Sequence, residues 1–219
     1  PTVKGHAGKL VLGKINTLNV VCMYGRSHIY EGHNPQSLAS PIRVLKDIGC
    51  KLLVVTNAAG SLDEAMPAGS LMAIKDHINW SGFNPLIGPN AEEYGPRFHD
   101  MSDGYHKFYR DQLMQVAKKI DQKIYEGIYC MYSGPNFETP AEINALKVIG
   151  GNAVGMSTVP EVLVANHCGL PVIGISVITN LAAGMNKTKL SHQETLENAS
   201  LAENNVLNLI KQFIQEVQF

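Results

Sequence analysis

No run of about 18 apolar residues occurs in this sequence and no signal-peptide pattern opens it, so neither a membrane span nor secretion is indicated. Charge is sparse and balanced: 17% of residues are charged and the formal net charge is −1. Without a basic patch or charge run, nucleic acid and anionic membranes are excluded as main partners. Cysteine is scarce too. Cys22, Cys50, Cys130 and Cys168 lie far apart, mostly inside apolar runs, with no C-x-x-C spacing. Buried, reduced thiols are expected, which suits a cytoplasmic enzyme. Familiar catalytic signatures are missing as well. There is no Walker lysine loop, no G-x-G-x-x-G after a strand and no H-E-x-x-H or H-x-x-x-H. The nearest approach to a nucleophile elbow, Gly155-Met156-Ser157-Thr158-Val159, lacks the second glycine. Hydride transfer, metal-assisted hydrolysis and serine esterase chemistry are therefore weakly supported.

What is present is an alternation of strands and helices. The chain has 219 residues, 45% of them hydrophobic, enough for one large domain with a sizeable core. Lys9–Gly13 and Leu18–Met23 read as a hairpin around Asn16-Thr17. A polar loop follows, Tyr24 to His33. Residues 36–48 read as a helix with Pro41 inside it, so a kink or late start is expected. Lys51–Thr56 reads as a strand buried on both faces and ending at Asn57-Ala58-Ala59-Gly60. Further strands are expected at 70–78, 127–132, 152–156 and 171–179, and helices at 105–120 and from about 191 to 217. Three capping boxes mark helix starts: Thr139-x-x-Glu142, Thr158-x-x-Glu161 and Ser191-x-x-Glu194. Residues 81–104 form a long loop rich in Gly, Pro and Asn, a kind of segment that is usually functional or packs on a neighbouring subunit. Phe83, Tyr94 and Phe98 are aromatics it can present. The pattern predicts an α/β fold in one domain, with a central, mixed, mostly parallel twisted sheet flanked by helices.

In open sheets of this kind ligands gather at the C-terminal strand ends. Asn57, Glu138, Ser157 and Asn180 all follow apolar runs, as does the loop with Arg26, His28 and Tyr30. The set of carboxylate, carboxamides, hydroxyl, guanidinium and imidazoles suits a neutral polar heterocycle together with a small anion. Each residue also has a plain structural reading. Glu138 can be a first-turn carboxylate, Ser157 a helix-start hydroxyl, Arg26 an exposed charge, His192 a surface histidine, and the two asparagines strand ends.

Taken in order, Gly5-His6-Ala7-Gly8, Gly25-Arg26-Ser27-His28-Ile29-Tyr30-Glu31-Gly32, Thr56-Asn57-Ala58-Ala59-Gly60, Asp76-His77-Ile78-Asn79, Gly134-Pro135-Asn136-Phe137-Glu138-Thr139, Val154 to Glu161 and Ile178-Thr179-Asn180 form a specific series. On these segments the chain resembles the trimeric class of purine nucleoside phosphorylases, in particular the bacterial branch that includes xanthosine phosphorylase. The resemblance implies reversible phosphorolysis of inosine, guanosine or xanthosine, with phosphate as co-substrate and no cofactor or metal. It implies phosphate binding by His6, Arg26, His28, Ala58 and Ser157. It implies nucleoside binding by Tyr30, Asn57, Phe98, Tyr132, Phe137, Glu138, Met156, Asn180 and His192, with Asn180, Glu138 and His28 in catalytic roles. Phe98 is to come from a neighbouring subunit of a homotrimer or dimer of trimers. Tyr132 is the mark of the xanthosine-accepting branch, and an amide at 180 points to 6-oxopurines. The family pattern starts about one strand earlier, with a glycine-serine phosphate loop. On a chain starting at Pro1, a residue that is no initiator methionine, weak phosphorolysis is expected. Two alternatives stand beside this reading: a chain that only binds nucleosides, and a methylthioadenosine phosphorylase, which Asn180 and Glu138 speak against.

Overall fold

The computed structural model describes residues 1–3, 6–185 and 192–219, without the side chains of residues 35, 192–196 and 201. Gly5, the capping box expected at Ser191 and the His192 side chain lie outside the described residues.

The first two strands, β1 (Lys9–Ile15) and β2 (Leu18–Tyr24), form an antiparallel hairpin whose turn places Asn16 at φ 52°. Asparagine tolerates that left-handed conformation better than most residues. A 3₁₀ turn over Pro35–Leu38 precedes α1 (Ser40–Asp47), so Pro41 falls in the first turn and the helix starts late instead of kinking. Then come β3 (Leu53–Ser61), β4 (Leu71–Asn79), α2 (Lys107–Lys119) and β5 (Tyr125–Met131). They are followed by α3 (Pro140–Val148), β6 (Ala153–Gly155), α4 (Val159–His167), β7 (Val172–Leu181) and α5 (His192–Glu216). Between β4 and α2 the long loop keeps turns and bends only, as its composition implies.

Strands β3 to β7 close on themselves in the order β3-β6-β5-β4-β7. Three pairings are parallel (β3 with β7, β4 with β5, β5 with β6) and two antiparallel (β4 with β7, β3 with β6), so the sheet is mixed as expected. β7 is almost wholly buried because helices cover it as well as strands. Ile173 and Ile175 pack with Leu113 and Ala117 of α2 and with Leu209 and Phe213 of α5. A second cluster joins Leu53 and Val55 to Ile42 and Leu45 of α1 and to Val162 and Leu163 of α4. Each fully buried aliphatic side chain contributes roughly 1.5–3 kcal/mol.

Three expectations need correction. β3 is not buried on both faces: its residues alternate, with Leu53, Val55 and Asn57 inside and Ala58 exposed, because one face borders an open cleft. Asn57 and Asn180 do not follow their strands but belong to them, since the ladder continues through both segments to Ser61 and Leu181. The cysteines are free, yet only Cys130 and Cys168 are buried; Cys22 is exposed and Cys50 half-buried, because β2 and the end of α1 lie near the surface.

Candidate active site

A cleft of about 1400 Å³ opens between the β2–α1 region, the exposed face of β3, the β6–α4 junction and α5. His6, Arg26, His28, Tyr30, Asn57, Ala58, Phe137, Glu138, Met156, Ser157 and Asn180 all line it. These positions, scattered over the sequence, are brought to one cleft. Two expected members are elsewhere. Tyr132 packs beneath α3, where its hydroxyl accepts from Asn136 Nδ2 at 3.2 Å and donates to Glu142 Oε1 at 3.4 Å. Phe98 stands on the long loop, 90% exposed and away from the cleft. Tyr94 of the same loop is folded back, bonding Asp47 at 2.7 Å with the Arg43 guanidinium over its ring.

One end of the cleft gathers cations and donors. Arg26 is anchored on three sides: Nη1 reaches Glu161 at 3.0 Å and Thr158 Oγ1 at 3.1 Å, and Nη2 donates to the Thr56 carbonyl. Such anchoring removes the rotamer freedom that a surface arginine would lose on gripping an anion. The His6 ring meets the Arg26 backbone, whose N–H donates to Nδ1 at 2.9 Å. Only glycine fits at position 25, where φ is 92° and a Cβ would lie 2.6 Å from His6 Cα.

His28 is stacked on Tyr30, ring centroids 4.7 Å apart, and its Nδ1 is 2.8 Å from Glu31 Oε1. Burial lowers the His28 pKa, aided by the nearby His6 and Arg26 charges and opposed by Glu31. The imidazole is therefore neutral near pH 7. Burial alone would raise the Glu31 pKa, but hydrogen bonds from Thr2 and His28 outweigh it and hold the carboxyl well below the usual range. An ionised Glu31 can only accept, so the His28 proton sits on Nδ1 and Nε2 is left as an acceptor.

The other end holds one buried acid and one buried amide. Glu138 is 6% exposed. Burial raises its pKa, and the charge of Glu142 raises it further. Asn180 is also 6% exposed, with Nδ2 3.1 Å from Thr179 Oγ1. Gly60 leaves room for it: a Cβ there would come 2.9 Å from Asn180 Oδ1. Midway, Gly134 lets Met156 and Tyr30 approach, since a Cβ would lie 2.5 Å from Met156 Sδ and 3.2 Å from Tyr30 Cδ1. Asn57 gives Nδ2 to Thr158 Oγ1 at 2.9 Å and keeps a buried Oδ1 with no partner in the described structure. The arrangement can bind an anion at one end and a hydrogen-bonding heterocycle at the other.

A family model described as the phosphorylase superfamily matches residues 1–215. The chain is 46% identical to purine nucleoside phosphorylase 1 of Bacillus subtilis (strain 168), over 99% of the chain and 80% of that protein. The chain belongs to the phosphorylase superfamily, among its purine nucleoside phosphorylases. Its structure superposes on Schistosoma mansoni purine nucleoside phosphorylase in complex with inosine, with a TM-score of 0.95, 37% identity and coverage of 100% of this chain and 80% of that one. The same relative in complex with adenosine gives a TM-score of 0.94, 37% identity and coverage of 98% and 80%.

Four residues of this phosphorylase site escaped the sequence reading. Glu31 was signalled by its i+3 spacing from His28 in a polar loop. Glu161 and Thr158 were seen only as a capping pair. Tyr129, on β5, fell inside the strand expected at 127–132 with no role of its own, yet its hydroxyl accepts the Ser157 N–H at 3.3 Å. Among the described residues, no group of three or more His, Cys, Asp or Glu side chains is placed to hold a metal ion.

Proposed function

We propose that this purine nucleoside phosphorylase cleaves 6-oxopurine nucleosides with inorganic phosphate, giving the free base and the pentose 1-phosphate. The observation that carries the reading is the pairing in one cleft of a buried carboxylate, Glu138, and a buried carboxamide, Asn180, with the anchored Arg26 and Ser157. Phosphate sits against Arg26, His6, Ser157 and the Ala58 backbone, a set of donors matched to its oxygens, with His28 beside them. The neutral His28 Nε2 accepts the remaining phosphate hydroxyl.

A phosphate oxygen forms the new bond to C1′ of the sugar while the C1′–N9 bond breaks. The bonding pair leaves with the purine. Asn180 donates to the ring nitrogen on which that charge gathers, and Glu138 accepts from a ring N–H. The departing purine takes up one proton, supplied on balance by the phosphate. Bound phosphate also faces the cationic sugar, so catalysis rests on positioning and preorganised electrostatics, with no covalent enzyme intermediate and no cofactor. Tyr30 and Met156 support the sugar, the free Asn57 Oδ1 accepts from one of its hydroxyls, and Phe137 stacks on the base.

A homotrimer, or a dimer of trimers, gives the exposed Phe98 a purpose: it closes the sugar site of a neighbouring copy. Cytoplasmic purine salvage is the setting that suits such an enzyme. The test is a panel of inosine, guanosine, xanthosine and adenosine, each with and without phosphate. Phosphate-dependent release of hypoxanthine and guanine is expected, and phosphate-independent turnover would refute the reading. Asn180→Asp should move preference toward adenosine by about tenfold or more, because a carboxylate oxygen accepts from a 6-amino group, where the carboxamide NH2 can only donate. An unchanged preference would remove Asn180 from its role.

A further inference from the structure

Thr158 is the least comfortable residue of the site. Its φ is 79° and ψ −49°, and the Val159 N–H donates to the Ser157 carbonyl across it at 2.9 Å. This is a strained three-residue γ-turn, a conformation that a β-branched residue rarely adopts. It is also completely buried. Glycine would relieve the strain, so the threonine side chain must bring something that glycine cannot.

Its hydroxyl is a junction. Arg26 Nη1 donates to Oγ1 at 3.1 Å and Asn57 Nδ2 donates to it at 2.9 Å. Ser157 Oγ lies 3.2 Å away. A hydroxyl offers two lone pairs and one proton. Arg26 Nη1 and Asn57 Nδ2 can only donate, and together they fill both lone pairs. The one proton left on Thr158 is therefore directed at Ser157 Oγ, and the Ser157 hydroxyl becomes the acceptor of that pair. Its own proton must then point elsewhere, either to the Tyr129 hydroxyl, which also bonds the Ser157 side chain, or into the cleft that Ser157 lines, and an anion bound there draws it to the cleft. The Ser157 backbone is tied separately, through Tyr129.

We propose that Thr158 is a positioning residue that sets the polarity of the Ser157 hydroxyl and the pose of Arg26, so that both donate to an anion in the cleft. This inference rests on the phosphorolysis reading above and deepens it. In this strained turn one hydroxyl meets Arg26, Asn57 and Ser157 together. Without the Thr158 hydroxyl, Asn57 and Arg26 each lose an acceptor, and Ser157 is free to turn its proton inward.

The decisive measurement is steady-state inosine cleavage by the full chain at varied phosphate and varied inosine, for Thr158→Val and Thr158→Ser. Valine keeps the shape and deletes the hydroxyl; serine keeps the hydroxyl and deletes the methyl. Thr158→Val should raise the phosphate KM by about tenfold or more while the inosine KM stays within about twofold. Thr158→Ser should return the phosphate KM to within about threefold of the parent. Calorimetric titration with inorganic phosphate alone should show the same loss and the same rescue. If the valine variant fails to fold, Thr158→Ala serves in its place with the same expectation. A phosphate KM within about twofold of the parent in the variant without a hydroxyl overturns the proposal. So does a serine variant as impaired as valine, since packing of the methyl would then be the cause. A parent that binds phosphate without cleaving inosine sinks the proposed reaction but leaves Thr158 to be judged by the titration. A parent that neither cleaves inosine nor binds phosphate sinks both.

Discussion

Thr139-x-x-Glu142 and Thr158-x-x-Glu161 are the same motif at the starts of two neighbouring helices, and they do different things. At α3, Thr139 has an ordinary extended backbone, its hydroxyl accepts from the Glu142 N–H at 3.2 Å and Glu142 returns to the Thr139 N–H at 2.7 Å. Both side chains serve the helix. At α4, Thr158 is in a left-handed turn and makes no cap bond. Its hydroxyl and the Glu161 carboxylate both go to Arg26. A local rule is kept where only a helix must be started, and broken where a cation in the cleft needs a fixed partner. Departure from local preference at one of two equivalent motifs marks the one with a function.

The contrast breaks most sharply at Glu161 and Thr139. Glu161→Ala should lower kcat/KM for phosphate by about 10- to 100-fold, the worth of a charge-assisted hydrogen bond of about 1.5–3 kcal/mol. The inosine KM should hold, and unchanged phosphate kinetics would mean that the Arg26 pair is ornamental. Thr139→Ala should do the reverse. It should cost about 1 kcal/mol of stability, or about 2–4 °C in Tm for a domain of this size, with phosphate kinetics intact. A thermal melt beside an activity assay decides it, and a large activity loss would erase the distinction.

The smallest effect sharpens the comparison, because the α3 cap is not wholly silent. Burial and then the Glu142 charge raise the Glu138 pKa. Glu138 must be ionised to accept from the purine, so inosine binding should weaken on the acid side at a pH above the usual carboxylate range. Glu142→Gln removes a negative neighbour, favours the ionised form and lowers that pKa. The acid limb of the inosine KM profile should move to lower pH. A limb that stays or moves upward would show that this charge is not felt. The same raised pKa makes ionised Glu138 a burden on the fold: its contribution favours the folded state at low pH and is lost as pH rises through the folded value.

Much of this was legible in the sequence, for physical reasons that differ by residue. The α3 cap could be read because a capping box needs only residues three apart. Helix stops and the alternation of elements are local in the same sense. Arg26, Glu138, Ser157 and Asn180 stood out because polar residues at the ends of apolar runs have few structural excuses. The α4 motif misled because its spacing is identical to that of α3, and only the long-range partner Arg26 distinguishes them. Tyr129 hid because a buried tyrosine reads as apolar until its hydroxyl partner is known. Tyr132 was drawn toward the cleft by resemblance, whereas its side chain turns under α3, two residues' worth of strand geometry away from Cys130 and on the same face as that cluster.

The pairing of β7 with β3 also has a consequence in time. Leu53 meets Val172 along a ladder that joins segments about 120 residues apart. Such a contact must wait for most of the intervening chain to be made and gathered. Since β7 also pairs with β4, the barrel cannot close until it docks. During synthesis, the Arg26 loop and β3 are exposed long before Asn180 reaches them. Until β7 docks, the chain has neither a closed barrel nor Asn180 beside Gly60, so purine recognition is completed only with that strand.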